Sequence, residues 1–198
     1  MPKSDKLLVL DLDKTLIRTF EHKEKKPERK CDFVLDGFPV YKRPGLDDFL
    51  NYAKSNFILG VWSQGNGAYV DDIVEVLFKK GDLEFQWCYD ECSLAPEDIR
   101  ICLAQDIRNL RIIKDVNMLE RKLIIPPSKT IIVDDEPAHF LDYQNLIQVK
   151  SWEKAEEDDN ELEVLKKFLS CLVNSEDVRK DIQHFKIYKD FCVSVKSA

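Results

Sequence analysis

The 198-residue chain lacks a long apolar run, an excess of basic residues and an internal repeat. Its longest apolar stretches, such as residues 57–62, fall far short of the about 20 residues that a membrane-spanning helix needs, so no membrane span is expected. With 30 Lys and Arg against 37 Asp and Glu, the formal net charge is −7, which argues against broad nucleic-acid binding because such surfaces are basic. The polar start at residues 1–6 shows no secretory signal, so we expect an intracellular protein, in the cytoplasm or the nucleus.

Histidine is scarce as well, with 3 residues in the chain, and none of them lies near the cysteine cluster. Cys88 and Cys92 form a closely spaced pair that Cys102 follows, but a structural zinc takes four Cys and His ligands. The missing ligands disfavour a zinc site. Because no secretory segment marks an oxidising compartment, we predict that the 6 cysteines are reduced thiols that behave as small apolar residues.

What the chain does have is a regular alternation of short apolar runs and helical patterns. Apolar runs predict buried strands, and apolar residues spaced by three and four positions predict helices. Their alternation is typical of a Rossmann-like α/β fold, in which a parallel sheet carries helices on both faces. The predicted strands are 7–13, 57–63, 130–137 and 145–150, and the predicted helices are 46–55, 68–80, 161–173 and 175–191.

Two segments interrupt this alternation. Alternating apolar residues around Asp36-Gly37 predict a β-hairpin, which would form a small flap over residues 18–42. Residues 81–113 fit neither a strand nor a helix pattern throughout, and they are expected to form an insert. We expect a single domain over residues 1–198, closed by helices at about 160–191.

Three of the predicted strands end in polar residues. These are Asp11 and Asp13 after the first strand, Ser63 at the end of the second, and Asp134 with Asp135 at the end of the third. Because the carboxyl ends of parallel strands meet at one edge of a sheet, these side chains are expected to converge on one pocket. Asp11 and Asp13 would also share a strand face and repel each other, which is costly without a cation or a proton. A solvated strand end is the alternative for this pair taken alone.

A cluster of carboxylates suits a hard cation, and Mg²⁺ combines one or two carboxylates with waters and substrate phosphate. Such a site indicates phosphoryl chemistry, since the metal neutralises the transferring group. One aspartate can attack phosphorus and form an aspartyl-phosphate, while a second carboxylate protonates the leaving oxygen and then activates water. A hydroxyl such as that of Ser63, together with a lysine, would complete the cradle for the phosphoryl oxygens.

Four motifs in order carry a resemblance to a known superfamily. They are DLDKT at 11–15, WSQG at 62–65, IIKDVNML at 112–119 and IIVDDEP at 131–137. Together they resemble the motifs of the haloacid dehalogenase superfamily of aspartyl phosphatases. The stretch FPVYKRPGLDDFL at 38–50 further resembles the FCP/SCP-like (NLI-interacting-factor-like, CTD-type) phosphatases, and the resemblance covers about residues 5–185.

The resemblance implies a role for each residue that matches a motif. Asp11 would be the nucleophile, and Asp13 would be the general acid and base, with its backbone carbonyl on the metal. Thr15 would hold the loop or orient Asp13. Ser63 would bind a phosphoryl oxygen, and Lys114 would pair with the phosphoryl group and the Asp11 carboxylate.

Mg²⁺ is the cofactor that the resemblance implies. Its expected ligands are Asp11, Asp13, Asp134 and Asp135, and whether Asp134 or Asp135 ligates directly stays open. Gln64 and Arg43 are further candidates for contacting the substrate. For Arg43, pairing with an acid at the edge of the core is the alternative.

The resemblance implies a Mg²⁺-dependent phosphatase that acts on phosphoserine or phosphothreonine in a protein or peptide partner. A non-catalytic binding module of the same fold is a second hypothesis, which the presence of both Asp11 and Asp13 disfavours. A small-molecule or nucleic-acid-end phosphatase is a third, which the net charge and the stretch 38–50 disfavour. The chain departs from the FCP/SCP-like phosphatases that it resembles at Lys14, where they often carry Glu or Tyr, and in the insert at 81–113. Oligomeric state stays open.

Overall fold

The computed structural model describes residues 4–95 and 111–184. The strands within these residues are β1 (Leu7–Leu10), β2 (Ile17–Thr19), β3 (Phe33–Leu35), β4 (Phe38–Lys42), β5 (Ile58–Trp62), β6 (Phe85–Trp87), β7 (Ser93–Leu94), β8 (Ile112–Ile113), β9 (Thr130–Asp134) and β10 (Leu146–Gln148). The helices are α1 (Leu46–Asn56), α2 (Gly67–Leu77), α3 (Asn117–Leu123) and α4 (Glu161–Leu172), and residues 178–184 are also helical.

A parallel sheet with the strand order β10-β9-β1-β5-β6 forms the centre of the described structure. Helices cover both of its faces, as strands separated by helical segments require. On one face, α1, α2 and α4 pack through residues such as Phe49, Ile73 and Leu165, and on the other face α3 packs through Leu119. All four residues of β1 are buried, which explains its continuous apolar sequence. The predicted α/β fold is confirmed.

A small antiparallel sheet with the order β2-β4-β3 lies beside the main sheet. Asp36 and Gly37 join β3 to β4 with φ angles of 47° and 83°. Positive φ at both central residues is what a tight type I′ hairpin turn needs, and Asp-Gly is a favoured pair there. The predicted hairpin is confirmed, and β2 connects it directly to the segment that follows Asp13.

Close packing between β5 and β6 fixes the edge of the main sheet. A Cβ atom at Gly60 would lie only 2.2 Å from Cε1 of Phe85, so the Phe85 ring occupies the space that any larger residue would need. The rings of Trp62 and Trp87 meet edge to face with centroids 5.0 Å apart. The glycine in FILGVW is therefore required by the neighbouring strand.

The strands and helices predicted between residues 7 and 77 and between 130 and 173 are found with small shifts at their ends. The insert at 81–113 contains β6 and β7 before residue 96 and β8 after residue 110. Its part at 96–110 and the end of the closing helix beyond 184 lie outside the described residues. Within the described part of the chain, no helix has the length and apolar character needed to cross a membrane. The single-domain assignment stays a prediction.

Candidate functional site

The carboxyl ends of β1, β5 and β9 meet at one edge of the main sheet. In the parallel register, Leu10 pairs with Val61 on one side and with Val133 on the other. The backbone N–H of Asp11 donates to Val133 O at 3.0 Å, which continues the pairing one residue beyond β1. Asp11 therefore lies at the same level as Asp134, the last residue of β9.

A buried lysine links two of the aspartates. Lys114 Nζ donates to Asp11 Oδ1 at 2.8 Å and to Asp134 Oδ2 at 2.5 Å. Lys114 follows β8, and its backbone N–H donates to His139 O at 2.7 Å, which fixes the lysine backbone near the end of β9. The structure thus brings together three residues that are far apart in sequence and that the motifs had assigned to one site.

Burial governs the electrostatics of this trio. It raises the pKa of Asp11 to about 7, and the charge of Asp134 adds to the rise while Lys114 opposes it. For Asp134, burial alone would raise the pKa, but Lys114 and His139 together lower it. For Lys114, burial would lower the pKa, but the two carboxylates outweigh it and raise the pKa. One ammonium group therefore faces two carboxylates, and the trio carries excess negative charge when both are ionised.

A third carboxylate makes this edge suitable for a cation. Oxygen atoms of Asp11, Asp134 and Asp135 all lie within 4.8 Å of one another. Burial raises the pKa of the Asp135 carboxyl, and the charge of Asp134 contributes. An all-oxygen donor set of this kind fits Mg²⁺. Among the described residues, the Asp13 side chain is not part of this cluster, and the metal contact expected of the Asp13 backbone carbonyl stays a prediction.

The Asp13 side chain turns instead towards α2. Tyr69 OH donates to Asp13 Oδ1 at 2.7 Å, and Thr19 Oγ1 lies 2.7 Å from Tyr69 OH. Burial raises the pKa of Asp13, while the hydrogen bond from Tyr69 and the charge of Arg18 lower it. Neither Tyr69 nor Thr19 was predicted from the sequence. Position in the chain could have indicated Tyr69, because the first turn of a helix that follows a strand lies close to the carboxyl edge of that strand.

The segment after Asp13 turns sharply at Lys14. Lys14 has a φ angle of 60°, a left-handed conformation that residues other than glycine rarely adopt. Its N–H donates to Ile17 O at 2.6 Å and its carbonyl accepts from Trp152 N at 2.9 Å, so both backbone groups have partners. Thr15 follows, and its Oγ1 donates to Asp135 Oδ1 at 3.3 Å. Thr15 therefore contacts a predicted metal ligand rather than Asp13.

The structure corrects the assignment of Arg43 to substrate binding. A guanidinium group has five N–H donors, and protein acceptors occupy all of them. Nε and Nη2 donate to the Asp159 carboxylate at 2.8 and 2.9 Å, Nη1 donates to the carbonyls of Lys14 and Thr15 at 3.4 and 3.0 Å, and Nη2 also donates to Lys150 O at 2.8 Å. The side chain is fully buried. Pairing with an acid, the alternative stated above, is what the structure shows.

Ser63 and Gln64 lie at the end of β5, the strand next to β1. Ser63 is buried, its N–H donates to Trp87 O at 3.0 Å, and its Oγ accepts from Gly65 N at 3.1 Å. Neither bond uses the proton of the Ser63 hydroxyl, so the hydroxyl can donate a hydrogen bond to a phosphoryl oxygen. Gln64 Nε2 donates to Ile112 O at 3.0 Å, which ties its amide to β8. Their predicted contacts with substrate stay predictions.

His139 lies behind the cluster. Its Nδ1 is 3.4 Å from Asp134 Oδ1, and the same oxygen accepts from Glu136 N at 2.8 Å. These contacts hold the Asp134 carboxylate from the side opposite Lys114, which donates to Oδ2. His139 therefore lies beside Asp134, and its charge, when the imidazole is protonated, would lower the pKa of that carboxyl.

Comparison with known proteins gives matches over most of the chain. The model of a family described as NLI interacting factor-like phosphatase matches residues 6–179. A Dictyostelium discoideum protein named "Probable C-terminal domain small phosphatase" is 31% identical over 183 residues, which are 88% of this chain and 53% of that protein. The human "CTD small phosphatase-like protein" is 29% identical over 156 residues, which are 74% of this chain and 49% of that protein. This chain thus spans about half the length of either relative.

A solved structure is similar as well. The fission yeast RNA polymerase II CTD phosphatase Fcp1, in a variant bound to beryllium fluoride, superposes with a TM-score of 0.49 at 16% sequence identity. The superposition covers 98% of this chain and 66% of that one.

Proposed function

Because the chain belongs to the NLI interacting factor-like phosphatase family, we propose that it is a Mg²⁺-dependent phosphatase that hydrolyses phosphoserine or phosphothreonine in proteins. One observation carries the proposal: the buried Asp11 carboxylate lies 2.8 Å from Lys114 Nζ and forms a close cluster with the carboxylates of Asp134 and Asp135. A purely structural carboxylate would not need two further acids beside it.

In the first step of the proposed reaction, a carboxylate oxygen of Asp11 attacks phosphorus and forms an aspartyl-phosphate. Lys114 donates to Oδ1 and so leaves Oδ2 available for the attack. Asp13 gives a proton to the leaving oxygen as the bond to phosphorus breaks. The Ser63 hydroxyl and the Lys114 ammonium stabilise the charge on the phosphoryl oxygens.

In the second step, Asp13, now ionised, accepts a proton from a water molecule that attacks the aspartyl-phosphate. Phosphate leaves, and Asp11 returns to its carboxylate form. Asp11, Asp134, Asp135 and the backbone carbonyl of Asp13 would hold Mg²⁺. Bound there, the cation would neutralise the negative charge that otherwise repels a phosphoryl group from this cluster.

The proposed substrate class is a phosphorylated protein segment. It is supported by the names of the relatives, one of which is the human "Carboxy-terminal domain RNA polymerase II polypeptide A small phosphatase 1". The acidic balance of this chain, −7 overall, is unfavourable for nucleic-acid ends because a polyanion is repelled.

The proposal is tested by measuring hydrolysis of an aryl phosphate with and without Mg²⁺, for the wild type and Asp11→Asn. We expect metal-dependent turnover that Asp11→Asn reduces by roughly a thousand-fold or more, since the covalent nucleophile is lost. Asp36→Asn is the matched control, because it removes the same charge at a hairpin turn where asparagine also accepts a left-handed backbone. Acid quenching and peptide mass spectrometry should detect phosphate on the Asp11 peptide.

The outcomes separate the other hypotheses. Equal rates for the wild type and Asp11→Asn would overturn the mechanism. No turnover in the wild type, combined with phosphopeptide binding, would favour a non-catalytic binding module. A panel of phosphopeptides, sugar phosphates and phosphorylated oligonucleotide ends then tests the substrate class, and turnover of the small metabolites or the oligonucleotides alone would contradict it.

A further inference from the structure

The hydroxyl groups of Tyr69 and Thr19 form a chain of hydrogen bonds to Asp13, and neither group has a role in the reaction proposed above. Tyr69 OH donates to Asp13 Oδ1 at 2.7 Å, and Thr19 Oγ1 lies 2.7 Å from Tyr69 OH. A phenol has a single proton. With that proton directed at Asp13, the Thr19 hydroxyl can donate to the phenol oxygen. The chain thus starts on β2, passes through α2 and ends on Asp13.

The Tyr69 side chain is held in place from three directions. Its backbone N–H donates to the Asn66 side chain at 3.0 Å, which caps the start of α2. Its ring packs on the backbone of Gly65, where a Cβ atom would lie 2.7 Å from Tyr69 Cδ1. Thr19 holds its hydroxyl. Because these contacts hold both the backbone and the hydroxyl of Tyr69, its side chain has a defined position in the site.

We propose, on the basis of the phosphatase function proposed above, that Tyr69 is a positioning residue that presents Asp13 for proton transfer to the leaving group. With Oδ1 accepting from Tyr69, the transferable proton of Asp13 lies on Oδ2. That proton moves to the leaving oxygen as the bond to phosphorus breaks, and Oδ2 later takes a proton from the attacking water. Tyr69 donates the same hydrogen bond throughout and keeps its own proton.

A packing role is the competing explanation, because Thr19 and Tyr69 also join β2 to α2. The two roles differ in what they do to different substrates. Loss of packing disturbs the site for every substrate alike. Loss of a positioned acid matters only when the leaving oxygen needs a proton, so the penalty should grow with the basicity of the leaving group.

The test is kcat/KM for a series of substrates that runs from dinitrophenyl phosphate through phenyl phosphate to a phosphoserine peptide. The quantity kcat/KM covers the steps up to formation of the aspartyl-phosphate, in which Asp13 acts as the acid. The variants are Tyr69→Phe, which keeps the ring, and Thr19→Val, which keeps the shape of the side chain. Tyr52→Phe on α1 is the matched control, since the Tyr52 ring packs against the apolar core.

General acid catalysis supplies roughly 100- to 10,000-fold, and we expect Tyr69→Phe to lose about 10-fold or more of this for phenyl phosphate and the peptide. The loss for dinitrophenyl phosphate should stay below about 2-fold, because that leaving group needs no proton. Thr19→Val should show a weaker loss of the same pattern, Thr19→Ser should restore the wild-type values, and Tyr52→Phe should match the wild type.

Equal losses for all substrates would overturn the proposal in favour of packing, and so would no loss with any substrate. Failure of the underlying phosphatase function is recognised separately. In that case the wild type would show no turnover, or Asp11→Asn would retain it, and the inference would fall with the function.

Discussion

The Arg43 guanidinium and the Asp159 carboxylate form a bidentate ion pair between residues 116 positions apart, with N–O distances of 2.8 and 2.9 Å. The same guanidinium donates to Thr15 O and Lys150 O. One buried cation thereby joins three parts of the chain. They are the segment after the two motif aspartates, the segment after β10 and the start of α4. The geometry of the site depends on a pair that touches neither Asp11 nor Lys114.

Replacing Asp159 should destabilise the fold strongly. Asp159→Asn leaves the buried Arg43 charge without a counterion, and breaking one side of a buried pair costs about 3–5 kcal/mol. Urea unfolding at neutral pH measures the change. Asp47→Asn is the control, because the Asp47 carboxylate is largely exposed where it pairs with Lys42, and loss of an exposed pair costs less than about 1 kcal/mol. Similar costs for the two variants would contradict the buried role of Arg43.

The same pair should make stability depend on pH. Burial would raise the pKa of Asp159, but the hydrogen bonds and charge of Arg43 outweigh it and hold the pKa below its usual value. The folded state thus binds this proton less tightly than the unfolded chain does. Its contribution to stability is complete above the unfolded pKa of about 3.9 and is lost as the pH falls through the lower folded value. The difference between the wild type and Asp159→Asn should therefore shrink on acidification below pH about 4, and a constant difference would argue against it.

Asp11 should show the opposite trend in metal-free protein. Burial raises its pKa to about 7, so the folded state binds this proton more tightly than the unfolded chain does. The associated stability is complete below the unfolded pKa and is lost as the pH rises through about 7. In EDTA at alkaline pH we therefore expect Asp11→Asn to be more stable than the wild type, because the variant cannot carry the buried charge. Urea unfolding checks this, and an Asp11→Asn protein that is less stable throughout the pH range would contradict it.

Mg²⁺ should stabilise the wild type and do so through Asp135. Asp135→Asn removes one negative charge from the cation site but keeps the contact between Lys114 and Asp134, so it weakens the cation site without breaking the buried pair. A ligand present at 100 times its dissociation constant stabilises a fold by about 2.7 kcal/mol. We expect Mg²⁺ to raise the melting temperature of the wild type and of Asp36→Asn, and to raise that of Asp135→Asn much less. Equal shifts for all three proteins would place the cation elsewhere.

A larger residue at Gly60 should destabilise the fold. A Cβ atom there would lie 2.2 Å from Cε1 of Phe85, and overpacking a core typically costs about 1–3 kcal/mol. Gly67→Ala is the matched control, since the nearest atom to its Cβ would be Cys88 Sγ at 3.7 Å. In a double-mutant cycle, Phe85→Leu should recover part of the loss in Gly60→Ala. Independent costs for the two changes would show that Phe85 is not the obstacle.

The sequence was sufficient to predict four of the five strands of the main sheet, all but β6, and the residues that follow three of them at its carboxyl edge. The reason is that short apolar runs ending in Asp11, Ser63 and Asp134 are local patterns, and parallel pairing then determines where they meet. Lys114 is different, because β8 is only two residues long and gives almost no periodic signal. Its prediction depended on the resemblance, and the structure brings it to Asp11.

Some contacts could not be predicted from the sequence. They join residues that are far apart in the chain, and several similar residues could have made each of them. Arg43 pairs with Asp159, but Asp159 is one of several acids in the run at 156–159, and no local pattern distinguishes them. Tyr69 occupies a helix position that looks like any partly buried residue. Its contact with Asp13 depends on how α2 is set against the sheet.

At Lys14, the backbone and the side chain have separate tasks. The left-handed turn and the bonds to Ile17 and Trp152 shape the segment that carries the two motif aspartates, and the Lys14 side chain takes no part in those bonds. The ammonium group points away to Glu153, 2.9 Å from its carboxylate, and remains partly exposed. The charge of Lys14 opposes the rise in the pKa of Asp135, so substitution at position 14 can change the charge beside the acid cluster while the spacing of Asp11 and Asp13 stays the same. Substrate preference could diverge among related proteins at this position without any change in the reaction chemistry.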